Sequence, residues 1–283
     1  MTDTIVALGF AIFIWWFSTG IVILLNRMSR TAVTMSLVIS SALGIGALTG
    51  LAHTAQQTGV TGAYCAFTCA LLAWGWNELS FLTGWITGPQ KKAILKSTTG
   101  WPRFAASFNA VVWHELAILL VGVAIVVITW DAPNQVGTGT YLVLWIMRTS
   151  AKLNLFFGVR NLSEEFLPAH LAYLESFFKR RRMNAFFPFA VVSAIACLWL
   201  LIDFANQAMT TPAQVVGSVL VGTMLALAIV EHFMLVLPLD TTALWRWAIR
   251  KHHNTETLAA FDAHVPPVLP AHLDSHDKSL QVN

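Results

Sequence analysis

Residues 106–130 read ASFNAVVWHELAILLVGVAIVVITW, with Arg103 shortly before the stretch and Asp131 immediately after it. The run exceeds the ~20 apolar residues that cross a hydrocarbon core of ~30 Å, and Glu115 is its only formally charged side chain. It reads as a membrane span. Six further stretches share its character, near residues 4–25, 32–52, 62–87, 138–159, 185–205 and 213–237. With 56% hydrophobic and 11% charged residues in 283, the chain cannot hide its apolar surface inside an ordinary soluble domain. The expected architecture is all-α and polytopic: one seven-span transmembrane domain over residues 1–253, followed by a flexible cytoplasmic tail over 254–283.

Orientation follows from charge. All 17 Lys and Arg residues fall at or towards one side of these spans. The connections after the first, third and fifth spans carry them, as does the segment after the seventh, whereas those after the second, fourth and sixth carry none. The positive-inside rule then predicts an outside N-terminus and an inside C-terminus. The first span is too long for a signal-peptide core and is read as a retained helix. The net charge of +3 arises from this asymmetry, so it points to anionic membrane lipid or neighbouring membrane proteins as partners, not to nucleic acid, for which no motif is visible. Cys65, Cys69 and Cys197 lie inside spans without the spacing of a disulfide framework or zinc site and read as small buried apolar residues.

Several peripheral features have expected places. Trp85, Trp101, Trp245 and Trp247 fall where an inner aromatic belt would lie. Residues 168–183 read as an amphipathic helix on the inner surface, with Leu171, Leu174, Phe177 and Phe178 on one face and Glu175, Lys179 and Arg182 on the other. Residues 179–182, KRRR, would hold it against anionic lipid. Residues 241–253 read as a second short surface helix. The tail beyond, with Pro266, Pro267 and Pro270, lacks apolar periodicity, and its neighbourhood of His252, His253, His264, His272 and His276 reads as solvated in preference to metal-binding.

Ionisable groups inside a span cost several kcal/mol unless paired or wetted, which makes them functional candidates by default. The intramembrane set is Glu78, His114, Glu115, Arg148, Lys152, Asn154, Glu231 and His232, accompanied by Asn77. A rise of about 1.5 Å per residue puts Glu231 and Lys152 roughly 10 to 12 Å from the inner end of their spans, Glu78 and Glu115 roughly 15 Å and Arg148 roughly 18 Å. Four spans thus bring polar groups to similar depth in the cytoplasmic half. Arg148 and Lys152 are four residues apart on one helix face and need anions beside them.

Several accounts stay open. The charges form a buried network that sets helix packing. Alternatively, Glu and His ligate metal, although His114-Glu115 and Glu231-His232 are adjacent pairs and not the Glu-x-x-His of bundle carboxylate sites. In a third account Arg148 and Lys152 clamp a carboxylate or phosphate of an amphipathic ligand, such as a tetrapyrrole propionate, beside Trp74, Trp76, Trp113 and Trp145. A proton relay is the fourth. The seventh span has no Lys, so retinal attachment of the kind found in seven-span retinal proteins is set aside. In the connection after the fifth span, Ser163 can cap a helix whose first turn holds Glu164 and Glu165.

Four of these stretches resemble one known family. They are residues 77–84 (NELSFLTG), 113–115 (WHE), 152–161 (KLNLFFGVRN) and 231–238 (EHFMLVLP). Together they are similar to the photosynthetic complex assembly protein PuhE family of purple phototrophic bacteria, from the first span to about His253. The resemblance implies a multi-pass protein of the bacterial cytoplasmic membrane, inner or intracytoplasmic. It would be made alongside the reaction-centre H subunit and needed for normal levels of photosynthetic complexes and bacteriochlorophyll. It also implies photosynthetic complex subunits and bacteriochlorophyll or a precursor as partners. It assigns no catalytic, cofactor-binding or metal-ligating residue. The expected role is therefore an assembly factor, and the rival is a membrane enzyme of bacteriochlorophyll metabolism.

Overall fold

The computed structural model of the protein describes residues 2–95, 97–162, 166–239 and 241–249. Seven long helices are found among them: α1 (Thr2–Asn26), α2 (Arg30–Thr54), α3 (Val60–Leu82), α4 (Gly100–Ile128), α5 (Val136–Phe157), α6 (Phe186–Ala205) and α7 (Pro212–Val236). Local chemistry sets several of their ends. Ser29 accepts a hydrogen bond from the Ala32 N–H and starts α2, and Thr211 and Gln214 form a reciprocal capping box with Pro212 in the first turn of α7. Asn184 Oδ1 accepts from the Phe186 and Phe187 N–H groups at the start of α6 (2.9 and 3.0 Å).

Five of the helices, α1, α2, α4, α6 and α7, are long and apolar enough to cross a membrane. The other two, α3 and α5, have comparable lengths of 23 and 22 residues and carry Asn77 and Glu78, and Arg148, Lys152 and Asn154. Their positions explain this. α3, α5 and α7 pack against one another at the centre, with α1 against α7 and α3, α2 along α3, α4 beside α3 and α5, and α6 along α7. Central helices face protein on most sides and tolerate polar groups that find partners there. The peripheral ones expose large apolar side chains such as Ile5, Val38, Val127 and Phe189, the surface expected of helices solvated by lipid.

Close approach of the helices relies on small residues, the usual device where water supplies no drive for association. Ala7 and Ala11 of α1 are buried against Ala63 and Phe67 of α3 and Val216, Leu220 and Met224 of α7. Ala66, Ala70 and Ala73 of α3 meet Ala47 and Leu51 of α2, Ile118 and Ile125 of α4, and Tyr141 of α5.

The segment expected as an amphipathic surface helix over 168–183 is different. Ala169–Phe177 is a 3-10 helix, and Leu171, Leu174 and Phe177 are buried against Phe81 of α3 and Ala110 of α4. With 3.0 residues per turn, residues three apart eclipse on one face. The same apolar spacing that suggested a lipid-facing α-helix thus packs a 3-10 stretch onto the ends of two helices. From Phe178 the chain is extended, and Arg180 pairs in parallel with Val159.

The described part of the second expected surface helix is also short: a 3-10 turn, Thr241–Trp245, runs into α8 (Arg246–Ile249). Trp245 is buried on α1, donating from Nε1 to the Trp16 carbonyl at 3.1 Å, while Trp16 Nε1 donates to the Leu244 carbonyl at 3.0 Å. Trp247 lies against Gly20, where a Cβ would come within 2.1 Å of its ring. Trp245 is thus a packing element, whereas Trp247 touches α1 and stays 40% exposed. Trp85 and Trp101 are exposed. The tail over 254–283, with His252 and His253 before it, and Ser163, Glu164 and Glu165 lie outside the described residues.

Arg103 also departs from expectation. Counted among the basic residues of a connection, it lies in the first turn of α4 at 5% exposure. Its guanidinium donates to the Phe156 carbonyl (3.0 Å) and the Phe177 carbonyl, with the Phe156 ring 4.1 Å away. A cation thus satisfies carbonyls at the ends of α5 and the 3-10 helix. Arg103→Met is expected to destabilise the protein by about 2 to 4 kcal/mol, read as a lowered midpoint of thermal unfolding in detergent; an unchanged midpoint would remove this role.

Candidate functional site

Arg148 and Lys152 share one face of α5, as their spacing requires, but they serve different neighbours. Arg148 Nη2 donates to Glu78 Oε2 of α3 at 2.9 Å, and Lys152 Nζ to Glu115 Oε1 of α4 at 2.6 Å. Each cation has its own carboxylate, so the like-charge pair on α5 is offset from two sides. Both ion pairs are interhelical.

A second row of polar groups runs along α5. Tyr141, at 1% exposure, donates to the Ile118 carbonyl of α4 (2.9 Å) and accepts from Asn77 Nδ2 of α3 (3.0 Å). Ser150 Oγ is 2.9 Å from His232 Nε2 of α7, and His232 Nδ1 is 2.8 Å from the Ala228 carbonyl. A carbonyl only accepts, so the neutral ring carries its proton on Nδ1 and Nε2 accepts from Ser150. Both His232 nitrogens are thereby engaged. Asn154 accepts at Oδ1 from Asn184 Nδ2 at 3.0 Å, and Asn184 Nδ2 also meets the Gly158 carbonyl at 3.0 Å. Asn154 therefore joins the end of α5 to the start of α6 and stands apart from the charges.

Glu231 of α7 accepts from Trp15 Nε1 of α1 at 2.9 Å. Trp15 was not foreseen; an indole in an apolar span carries no sequence signal for a carboxylate partner. Tyr141 and Ser150 were missed for the same reason. Asn184 did have one, because Asn shortly before an apolar helical run is a capping signal.

His114 is fully buried on α4, its ring against Phe81 with centroids 4.4 Å apart, and neither ring nitrogen has a hydrogen-bond partner in the protein. Asn77 Oδ1, Glu78 Oε1 and Arg148 Nε are also buried without partners. The cluster expected from sequence is thus only partly one site. Glu78 and Arg148, and Glu115 and Lys152, meet directly, whereas Asn154 and His232 serve separate contacts.

Among the described residues no three His, Cys, Asp or Glu side chains come together as a metal site would require. Of the four Trp residues considered for a flat ligand pocket, Trp74 and Trp145 share the core around Ile118 and Tyr141, and Trp76 and Trp113 stand elsewhere. Trp74 packs edge-on against Tyr141 (5.6 Å), Trp76 donates to Ser41 of α2 (3.0 Å), Trp113 is exposed, and Trp145 lies partly buried on the core around Ile118 and Tyr141.

Apolar helices long enough for a bilayer, wrapped around helices carrying paired charges, define a multi-pass helical membrane protein. The chain belongs to the family described as "Protein of unknown function (DUF3623)", which it matches over residues 1–256. It is similar to the "Uncharacterized 30.4 kDa protein in puhA 5′ region" of Rhodobacter capsulatus: 36% identical over 242 residues, covering 84% of this chain and 88% of that one. No solved structure matches it significantly.

Both pairs are only partly buried, the Lys152 and Glu115 side chains being 23% and 22% exposed, but breaking one inside an apolar bundle leaves an uncompensated charge, which is worse than removing both partners. Glu115→Gln should cost about 2 to 4 kcal/mol, and Glu115→Gln with Lys152→Met should recover at least half of it. Thermal unfolding of the two variants in detergent checks the cycle; additive losses would dissolve the pair.

Proposed function

We propose that this protein is an assembly factor for photosynthetic reaction-centre and light-harvesting complexes, holding a complex subunit, bacteriochlorophyll or a pigment precursor during biogenesis. The observation that carries the reading is the relative whose name places it in the puhA 5′ region, with 36% identity across most of both chains. The resemblance of residues 77–84, 113–115, 152–161 and 231–238 to the PuhE family agrees with it. The geometry favours a scaffold: the intramembrane cations are committed to carboxylates of the same chain, and the polar side chains of α5 tie helices together.

The protein would work in the bacterial cytoplasmic membrane, inner or intracytoplasmic, with α1 to α7 as seven spans, the N-terminus outside and the C-terminus inside. The distribution of basic residues supports that orientation. Alkaline phosphatase fused within residues 55–59, 129–135 or 206–211 should be active, and fused within 85–99 or 178–183 inactive. The reverse pattern would invert the topology, and activity on both sides of α3 or of α5 would remove that helix from the spans.

One observation favours a second reading, a membrane enzyme of bacteriochlorophyll metabolism. His114 is a fully buried imidazole with two unpartnered nitrogens, in the helix turn next to the paired Glu115. The two readings separate in a deletion strain of the phototrophic host. The assembly role predicts loss of the complexes from the membrane absorption spectrum without one accumulated pigment intermediate. Accumulation of a single defined intermediate on chromatography, reproduced by His114→Ala at normal protein level, would favour the enzyme.

A further inference from the structure

Beyond the intramembrane charges, the strongest concentration of chemistry is an open cleft of ≈540 Å³ lined by Arg160, Arg180, Arg181 and Arg182. Three of the four lie in the KRRR run, which the sequence places on an amphipathic surface helix; the fold instead brings the run alongside Arg160, some 20 residues earlier in the chain. Backbone pairing builds the cleft. The Val159 N–H donates to the Lys179 carbonyl (3.1 Å), the Arg181 N–H to the Val159 carbonyl (3.0 Å) and the Lys179 N–H to the Leu155 carbonyl (3.1 Å).

The opposite edge is tied to the end of α7. The Arg160 and Asn161 N–H groups both donate to the Leu235 carbonyl (3.1 and 2.9 Å), and Asn161 Nδ2 donates to the Met234 carbonyl (2.7 Å). Gly158 turns the chain between these ties at φ 119°, a left-handed value that a side chain rarely adopts; a Cβ there would lie 2.9 Å from Arg181 Cγ. The arginine backbones are therefore held by two helix ends while their side chains remain exposed.

Like charges at this spacing are costly without an anion. Among the described residues no carboxylate pairs with Arg160, Arg181 or Arg182. The neighbouring Lys179 ammonium is held below its ordinary range by Arg103, by partial desolvation and, least, by Arg181. Guanidinium groups supply forked donors that match phosphate oxygens better than point-charge ammonium groups do. Apolar side chains border the same chain segments: Phe157 precedes Gly158, Met183 follows Arg182, and Leu237 sits beside Asn161, all exposed.

We infer that this cleft is a binding site for a phosphate group carried on an apolar molecule, of which an anionic phospholipid headgroup is the simplest example. Arg160, Arg181 and Arg182 engage the phosphate oxygens, and the exposed Phe157, Met183 and Leu237 of the adjoining segments receive the acyl portion. The inference deepens the membrane reading above, placing the cleft at the ends of α5 and α7 that the proposed orientation puts inside. The cleft differs from a diffuse basic surface in having arginines from two chain segments at fixed separation.

The test uses the purified full chain in a neutral detergent, where membrane orientation plays no part, so a reversed topology would leave the result intact. Thermal unfolding is followed with cardiolipin, with phosphatidylcholine and with inorganic phosphate, for the wild type and for Arg160→Gln/Arg181→Gln/Arg182→Gln. The expected result is a rise in midpoint of about 3 °C or more with cardiolipin, little with phosphatidylcholine, and loss of the rise in the triple variant. A rise with millimolar inorganic phosphate alone, again lost in the variant, supports the phosphate site and assigns its source to a soluble phosphate compound. Equal shifts in wild type and variant, or equal shifts with cardiolipin and phosphatidylcholine, overturn the proposal. Should the triple variant unfold at a lower basal midpoint, Arg181→Gln alone and direct detection of bound lipid by native mass spectrometry give the same comparison.

Discussion

The arrangement depends on one constraint, the placing of two cations on α5 inside a bundle whose outer helices are apolar. A guanidinium and an ammonium in that setting need anions at contact distance. Glu78 of α3 and Glu115 of α4 supply them at 2.9 and 2.6 Å. The pairings tie α3, α4 and α5 together in one register, since sliding α3 or α4 by a turn of about 5.4 Å would separate one charge from its partner, and sliding α5 would separate both. Tyr141, Ser150 and Asn154 extend the same helix's polar contacts to α3 and α4, to α7 and to the start of α6. Buried ion pairs add little net stability over apolar packing, and their value here is the specification of neighbours.

The ends of the bundle are secured by a different means. Carbonyls left open at the end of α5 and of the 3-10 helix receive the buried Arg103 guanidinium, while Asn184 gathers the Asn154 and Gly158 oxygens and caps α6. Trp16, Trp245 and Trp247 fasten the short α8 region to α1 through indole hydrogen bonds and close packing at Gly20. The outcome is a bundle that carries a row of polar contacts along α5 and further ones at one of its ends, and whose peripheral helices present apolar surface outward.

The legibility of the candidate site was uneven for physical reasons. Ionised side chains inside apolar runs stand out, so Glu78, Glu115, Arg148, Lys152 and Glu231 were found at once. Their pairing was not readable, because depth along a helix says nothing about which helices are neighbours. Neutral partners such as Trp15, Tyr141 and Ser150 are common in spans and carry no mark. The spacing of Leu171, Leu174 and Phe177 was read as α-helical on a lipid surface, whereas a three-residue repeat fits a 3-10 turn equally and the buried face of α3 and α4 decided between them.

By itself the sequence determined the helical, multi-pass character of the chain, the approximate limits of its long helices and the one-sided distribution of its basic residues. These follow from hydropathy and charge, which act residue by residue and need no knowledge of neighbours. Tertiary structure alone decided that α3, α5 and α7 form the centre, that each cation on α5 has its own carboxylate, and that Arg160 stands beside the KRRR run. Those facts depend on which surfaces meet, and that is settled by close packing of small residues and by the cost of leaving a buried charge or carbonyl unpaired.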